Sequence, residues 1–184
     1  MFLKGLTILL LLILSNSSFS KNNSELASLY AQDQAARELA SAKQIFPSAS
    51  EERKRRFNVF EIIANGELGT ATDYIRALIV LQHTNLTYDS NEKLISTSSE
   101  NHLLAFQLAK RAHQLGHEQG LHFLVWTYNY FAVGVGCDAE KYGFDLVEGN
   151  IVARDSETTI NQRIEACGWF DPIPTYTQLD VLAK

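Results

Sequence analysis

The feature that most constrains the fold is a pair of long apolar-periodic segments with almost nothing between them. "SSENHLLAFQLAKRAHQLG" is followed at once by "EQGLHFLVWTYNYFAVG". Leu103, Phe106 and Ala109 recur at helical spacing in the first segment, and Gly116 ends it. Two amphipathic helices joined so tightly pack antiparallel, as an αα-hairpin.

The same period runs through the chain before this pair. In "NSELASLYAQDQAARELASAK", Leu26, Leu29, Tyr30, Ala36 and Ala40 share one face, and Pro47 lies at or beyond the helix end. In "SASEERKRRFNVFEIIANG", Ser48 and Glu51 have capping-box spacing, Glu51 and Glu52 suit the positive helix end, and Gly66 suits the stop. In "TATDYIRALIVLQH", Thr70 and Asp73 predict another cap, and Tyr74, Leu78 and Leu81 form a stripe. Residues 84–98 are rich in Thr, Asn and Ser and read as a loop.

Beyond Gly134 the texture changes. "GVGCDAEKYG" reads as a loop, and "FDLVEGNIVARD" predicts a hairpin over 144–154 around Glu148-Gly149-Asn150. "SETTINQRIEACGW" reads as a short helix, and the last residues as an extended tail. The expected fold is mainly α: one helical domain, residues 21–184, of five or six helices with a small β-hairpin near its C-terminus.

Residues 1–20 have the layout of a signal peptide. Lys4 precedes an apolar run, Leu6 to Leu14, and Ser18-Phe19-Ser20 places small residues before a cut at Lys21. The run is shorter than the roughly 20 apolar residues of a membrane-spanning helix. The expectation is export to a periplasmic or extracellular compartment, with no membrane attachment after the signal is removed. The whole chain has net charge −5, and loss of Lys4 leaves −6. Such an acidic chain has no electrostatic reason to seek nucleic acid. Partners of another kind, a small molecule or a protein, are not identified by the sequence.

The two cysteines are Cys137 and Cys167. In an oxidising compartment they read as a structural disulfide, worth on the order of 3–4 kcal/mol for a loop of about 30 residues. The alternative is two free thiols, one of them reactive. No cofactor or metal is expected. Of the histidines, His117 and His122 are separated by five positions, not the four of a zinc-protease helix, and Gly116 separates His113 from His117. The basic run at 53–56 lacks interleaved aromatics and reads as a solvated helix face paired with Glu51 and Glu52. Asp33 and Arg37 are spaced to pair on one helix face, with Gln34 about a quarter turn away.

Asp33-Gln34-x-x-Arg37, Gln82-His83 after an apolar helix, "AFQLAKRAHQLG" before a Trp-containing helix, "KYG" and a late Arg163 occur in a distinctive order. In this the chain resembles a bacterial domain family of unknown function. Its members carry Asp-Gln-x-x-Arg, Gln-His, Asp-Arg and Gln-x-Tyr-Gly-Thr-Gln motifs. The resemblance spans most of residues 26–165 and implies a mostly helical fold. It also implies a candidate polar cluster of Asp33, Gln34, Arg37, Gln82, His83, Tyr142 and Arg163. The chain departs from the pattern at Asn129-Tyr130, where the Asp-Arg pair would stand. It departs again at Glu140 and at Phe144-Asp145, around Tyr142-Gly143. One further likeness is local: "AFQLAKRAHQLGHEQGLHFLVWTY" is similar to a single Sel1 or tetratricopeptide helix-turn-helix unit, too little for a solenoid.

The departures favour a non-catalytic binding or interaction module, with no catalytic residue assigned. The alternative is a hydrolase-like enzyme in which His83 is the general base, Asp33 orients it or acts as acid, and Arg37 and Arg163 hold an anionic substrate. That alternative requires His83, Asp33 and Arg163 to converge in one concave pocket.

Overall fold

The computed structural model describes residues 21–83, 86–88, 94–96, 99–134, 136–157, 162 and 165. The signal-like segment, Arg163, Cys167, the tail and nearly all of the expected short helix near 156–169 lie outside the described residues. Within them the protein is mainly helical, as the apolar periodicity predicts. The helices are α1 (Ser24–Lys43), α2 (Ala49–Ala64), α3 (Ala71–Gln82), α4 (Ser99–Gln114), α5 (Gly120–Gly134) and the short α6 (Ala139–Tyr142). Two small antiparallel hairpins complete the described structure: β1 (Leu86–Tyr88) with β2 (Leu94–Ser96), and β3 (Phe144–Val147) with β4 (Asn150–Ala153).

The caps foreseen from sequence are in place. Ser48 and Glu51 close a reciprocal capping box on α2, and Thr70 and Asp73 do the same on α3. α2 ends at Gly66, where Glu67 N–H bonds the Ile62 carbonyl and Gly66 N–H that of Ile63. α1 ends on Gln44, whose φ of 53° puts a non-glycine residue in the left-handed region.

Helix α3 is the centre of the bundle and packs against α1, α2, α4 and α5. The expected stripe of Tyr74, Leu78 and Leu81 is too narrow. Ile75, Ala77 and Val80 are buried as well, and Tyr74 is only partly covered. A helix that is apolar nearly all round has neighbours nearly all round. α4 and α5 form the expected antiparallel hairpin, so closely packed that a Cβ on Gly120 would stand 2.6 Å from His113 Cα.

Residues 84–98 are not simply a loop, since β1 pairs with β2 in the register Leu86↔Ser96, Thr87↔Ile95 and Tyr88↔Leu94. Leu-Thr-Tyr and Leu-Ile-Ser are β-type triplets that the polar composition around them outweighs in a sequence reading. The segment "GVGCDAEKYG" likewise contains helix α6, capped by Asp138, which accepts from the Glu140 and Lys141 amides. The β3–β4 hairpin turns on Glu148-Gly149, both with positive φ, the signature of a tight two-residue turn. It joins the core through Phe144, which meets the Tyr128 ring edge-on at 5.0 Å between centroids.

Candidate functional site

Asp33 lies in phase with Leu26, Leu29 and Ala40 on α1, so the helix carries its carboxylate into the bundle, where it is 1% exposed. A buried carboxylate is tolerated only where hydrogen bonds replace its water. The replacement comes from α3. His83, the residue that ends that helix, places Nδ1 2.6 Å from Asp33 Oδ2. Its side chain is 23% exposed, so the ring spans from the buried carboxylate toward the surface. A carboxylate only accepts, so Nδ1 is the donor and Nε2 is the ring nitrogen left for another partner. Among the described residues, Nε2 makes no hydrogen bond.

Gln34 does not point away from Asp33, as its position on a helical wheel suggests. Its Nε2 donates to Asp33 Oδ2 at 3.1 Å. Gln82, adjacent to His83, turns to the opposite neighbour: Gln82 Oε1 and His102 Nδ1 of α4 stand 2.9 Å apart, both residues buried. Consecutive side chains at the end of α3 therefore bind two different helices. Tyr130 of α5 continues the second branch, its ring 5.7 Å from that of His102.

Arg37 pairs with Asp33 at 3.7 Å through Nε. Its closer partner is Glu52 of α2, which also accepts from Arg55 at 3.0 Å and Arg56 at 3.5 Å. The basic run at 53–56 is thus only half a solvated face. Arg53 and Lys54 are exposed, while Glu52, Arg55 and Arg56 are largely covered. Burial lowers the pKa of Arg37; the Asp33 charge opposes this, and Arg55 and Arg56 reinforce it. Burial lowers that of Arg56 also, with Arg53 and Arg55 adding to the effect.

Asp33, Gln34, Arg37 and His83 therefore meet, with Gln82 next to them in sequence but bonded elsewhere. Tyr142 packs instead with Ala132, Cys137 and Ala139, and no hydrogen bond joins it to Asp33, Gln82 or His83. Arg163 lies outside the described residues. Cys137 is buried and no described cysteine is a free thiol; Cys167 lies outside. Asn129 and Tyr130 have packing roles. Asn129 accepts from Phe144 N–H at 3.0 Å and donates to the Phe144 carbonyl at 2.8 Å, locking β3 to α5.

Sequence reasoning paired the basic run with Glu52 but did not join Glu52, Arg55 and Arg56 to Arg37 and Asp33, and it missed His102. For His102 a signal existed, since it shares a helical face with Ala105, Phe106 and Ala109. Among the described residues, no group of three or more His, Cys, Asp or Glu side chains is placed to hold a metal ion. No described helix is long and apolar enough to cross a membrane. Comparison with protein-family models, curated proteins and solved structures yields no match.

Proposed function

We propose that the protein is an exported, non-catalytic binding module whose recognition group is His83, held by Asp33. The observation that carries this is the 2.6 Å contact between His83 Nδ1 and a carboxylate with almost no solvent exposure. That contact fixes the tautomer and the ring plane, and it leaves Nε2 at a partly open face as a preoriented acceptor for a polar ligand. Preorganisation of this kind improves binding by reducing the ordering cost. The order of motifs supports membership of the bacterial family of unknown function, and the N-terminal layout supports export. The absence of a free thiol at Cys137 among the described residues supports a disulfide with Cys167.

A second reading has a specific observation in its favour. A buried carboxylate on Nδ1 is the arrangement that equips an imidazole to take a proton at Nε2, so a hydrolase-like enzyme with His83 as general base fits the same contact. One experiment separates the two. The whole chain and His83→Ala are screened for thermal stabilisation by a panel of small metabolites, and for turnover of chromogenic esters, amides and phosphoesters. A compound that stabilises the parent and not the variant, without turnover, supports the binding module. Turnover lost in His83→Ala supports the enzyme. Equal behaviour of parent and variant in both assays removes His83 from any site.

A further inference from the structure

Helices α1 and α2 flank an open cleft of about 390 Å³, lined by Leu29, Gln32, Glu51, Lys54, Arg55 and Asn58. None of these residues belongs to the Asp33–His83 pair. The size lies in the range of small-molecule sites, but the lining is more polar than most, with one apolar side chain, Leu29, so a ligand that suits it is polar.

The polar groups of this cleft are out of balance. Lys54 is exposed and forms no ion pair among the described residues. Arg55 gives one terminal nitrogen to Glu52 at 3.0 Å, but its buried Nε finds no acceptor among the described residues. The Asn58 amide likewise has no hydrogen bond among them. The one carboxylate in the lining, Glu51, is engaged at the helix cap, where it accepts from Ser48 N–H at 2.8 Å and Ser48 Oγ at 2.7 Å. Behind the wall, three arginines, Arg37, Arg55 and Arg56, share the single carboxylate of Glu52. A chain of net charge −5 thus concentrates positive charge and unused donors at one place. A buried guanidinium N–H without an acceptor costs stability that an incoming acceptor recovers.

We propose that the α1–α2 cleft binds a small oxyanion of the phosphate or sulfate type, through Lys54, Arg55 and Asn58. Arginine and lysine together supply the directed and the point-like charge that such an anion takes, and charge-assisted hydrogen bonds make the contact strong. The site stands independently of any role for His83.

The test is thermal unfolding of the whole chain in sodium phosphate or sodium sulfate, against sodium chloride at equal ionic strength. Phosphate contact is also followed by phosphorus NMR line broadening. Phosphate, sulfate or both raise the midpoint in a saturable way that chloride does not. Which of the two does so identifies the preferred anion. Lys54→Gln weakens the apparent affinity about fivefold or more, and Arg55→Gln about tenfold or more. Arg111→Gln, at an exposed position on α4, binds as the parent does. Because Arg55 also holds Glu52, its variant is checked by circular dichroism, and Lys54→Gln decides if Arg55→Gln does not fold. An equal rise in chloride, or equal behaviour of Lys54→Gln and Arg111→Gln, overturns the proposal.

Discussion

His83 Nδ1 lies 2.6 Å from Oδ2 of Asp33, fifty residues earlier in the chain, and the contact ties the end of α3 to the middle of α1. If Asp33 serves to hold the imidazole, the two side chains are energetically coupled. A double-mutant cycle with Asp33→Asn and His83→Gln, followed by urea unfolding, is expected to give a coupling of about 1–2 kcal/mol. His83→Ala alone costs less than about 2 kcal/mol, since the ring is partly exposed and water reaches the vacated space. A cost well above that marks His83 as a structural element rather than a recognition group.

Asp73 carries a second buried carboxylate, at 0% exposure, and its role goes beyond capping. Its Oδ1 accepts from Asn23 N–H at 3.0 Å, and its Oδ2 from Thr70 N–H at 3.0 Å and Gly69 N–H at 3.2 Å. The same side chain therefore starts α3 and holds the residue that caps α1. Asp73→Ala strands three backbone donors and is expected to destabilise the fold by about 3–5 kcal/mol. Thr70→Ala, which removes the cap acceptor and the exposed hydrogen bond that the hydroxyl donates to Asn22 Oδ1 at 2.7 Å, costs about 1 kcal/mol. Equal losses in the two variants would show that the link to Asn23 contributes nothing.

Much of this arrangement was legible before any coordinates. Leu26, Leu29 and Ala40 set the phase of α1, and that phase alone carries Asp33 into the bundle. Ser48 with Glu51 and Thr70 with Asp73 announce the starts of α2 and α3 because each pair satisfies amides that every helix start exposes. What periodicity cannot reveal is which neighbour covers a polar side chain. The spacing to Glu52 shows the pairing of Arg55 and Arg56, but they read as solvated because a basic run has no internal signal for the helix that packs over it. Gln82 and His83 look alike by spacing, yet they bind opposite helices, a difference set by where α1 and α4 lie. The β1–β2 pairing was hidden for a related reason: three-residue strands carry too few alternating positions to outweigh a polar composition.

Glu51 gives a pH-dependent signature. Hydrogen bonds from the Ser48 hydroxyl and amide hold its carboxyl below the ordinary glutamate value of 4.5. A folded-state pKa below the unfolded one adds stability that is fully present above the unfolded value and is lost as pH falls through the folded one. The stability difference between the parent and Glu51→Gln is therefore expected to be largest at neutral pH and to shrink as pH drops below about 4.5. Urea midpoints measured for both chains between neutral and acidic pH test this. A difference that stays constant over that range would remove the capping charge from the account.

Gly143 marks where the C-terminal hairpin meets the helical body. Its φ of −78° is open to any residue, so glycine is not required there by backbone conformation. Space requires it. A Cβ at this position would lie 2.2 Å from the Ala139 carbonyl oxygen and 2.7 Å from Asn129 Oδ1. The first of these is backbone, held at the start of α6, and the second belongs to the amide that locks Phe144 to α5 by two hydrogen bonds. Neither gives way without breaking the junction. Gly143→Ala is expected to cost about 2–4 kcal/mol and to loosen β3–β4 from α5 while leaving α1–α4 intact. Hydrogen exchange reads this directly, with protection lost at Phe144 and Arg154 and kept along α3. Asn129→Ala should reproduce the same local pattern by removing the clamp instead of crowding it. Uniform loss of protection across all helices in either variant would mean that the hairpin is part of the cooperative core rather than a unit docked on it.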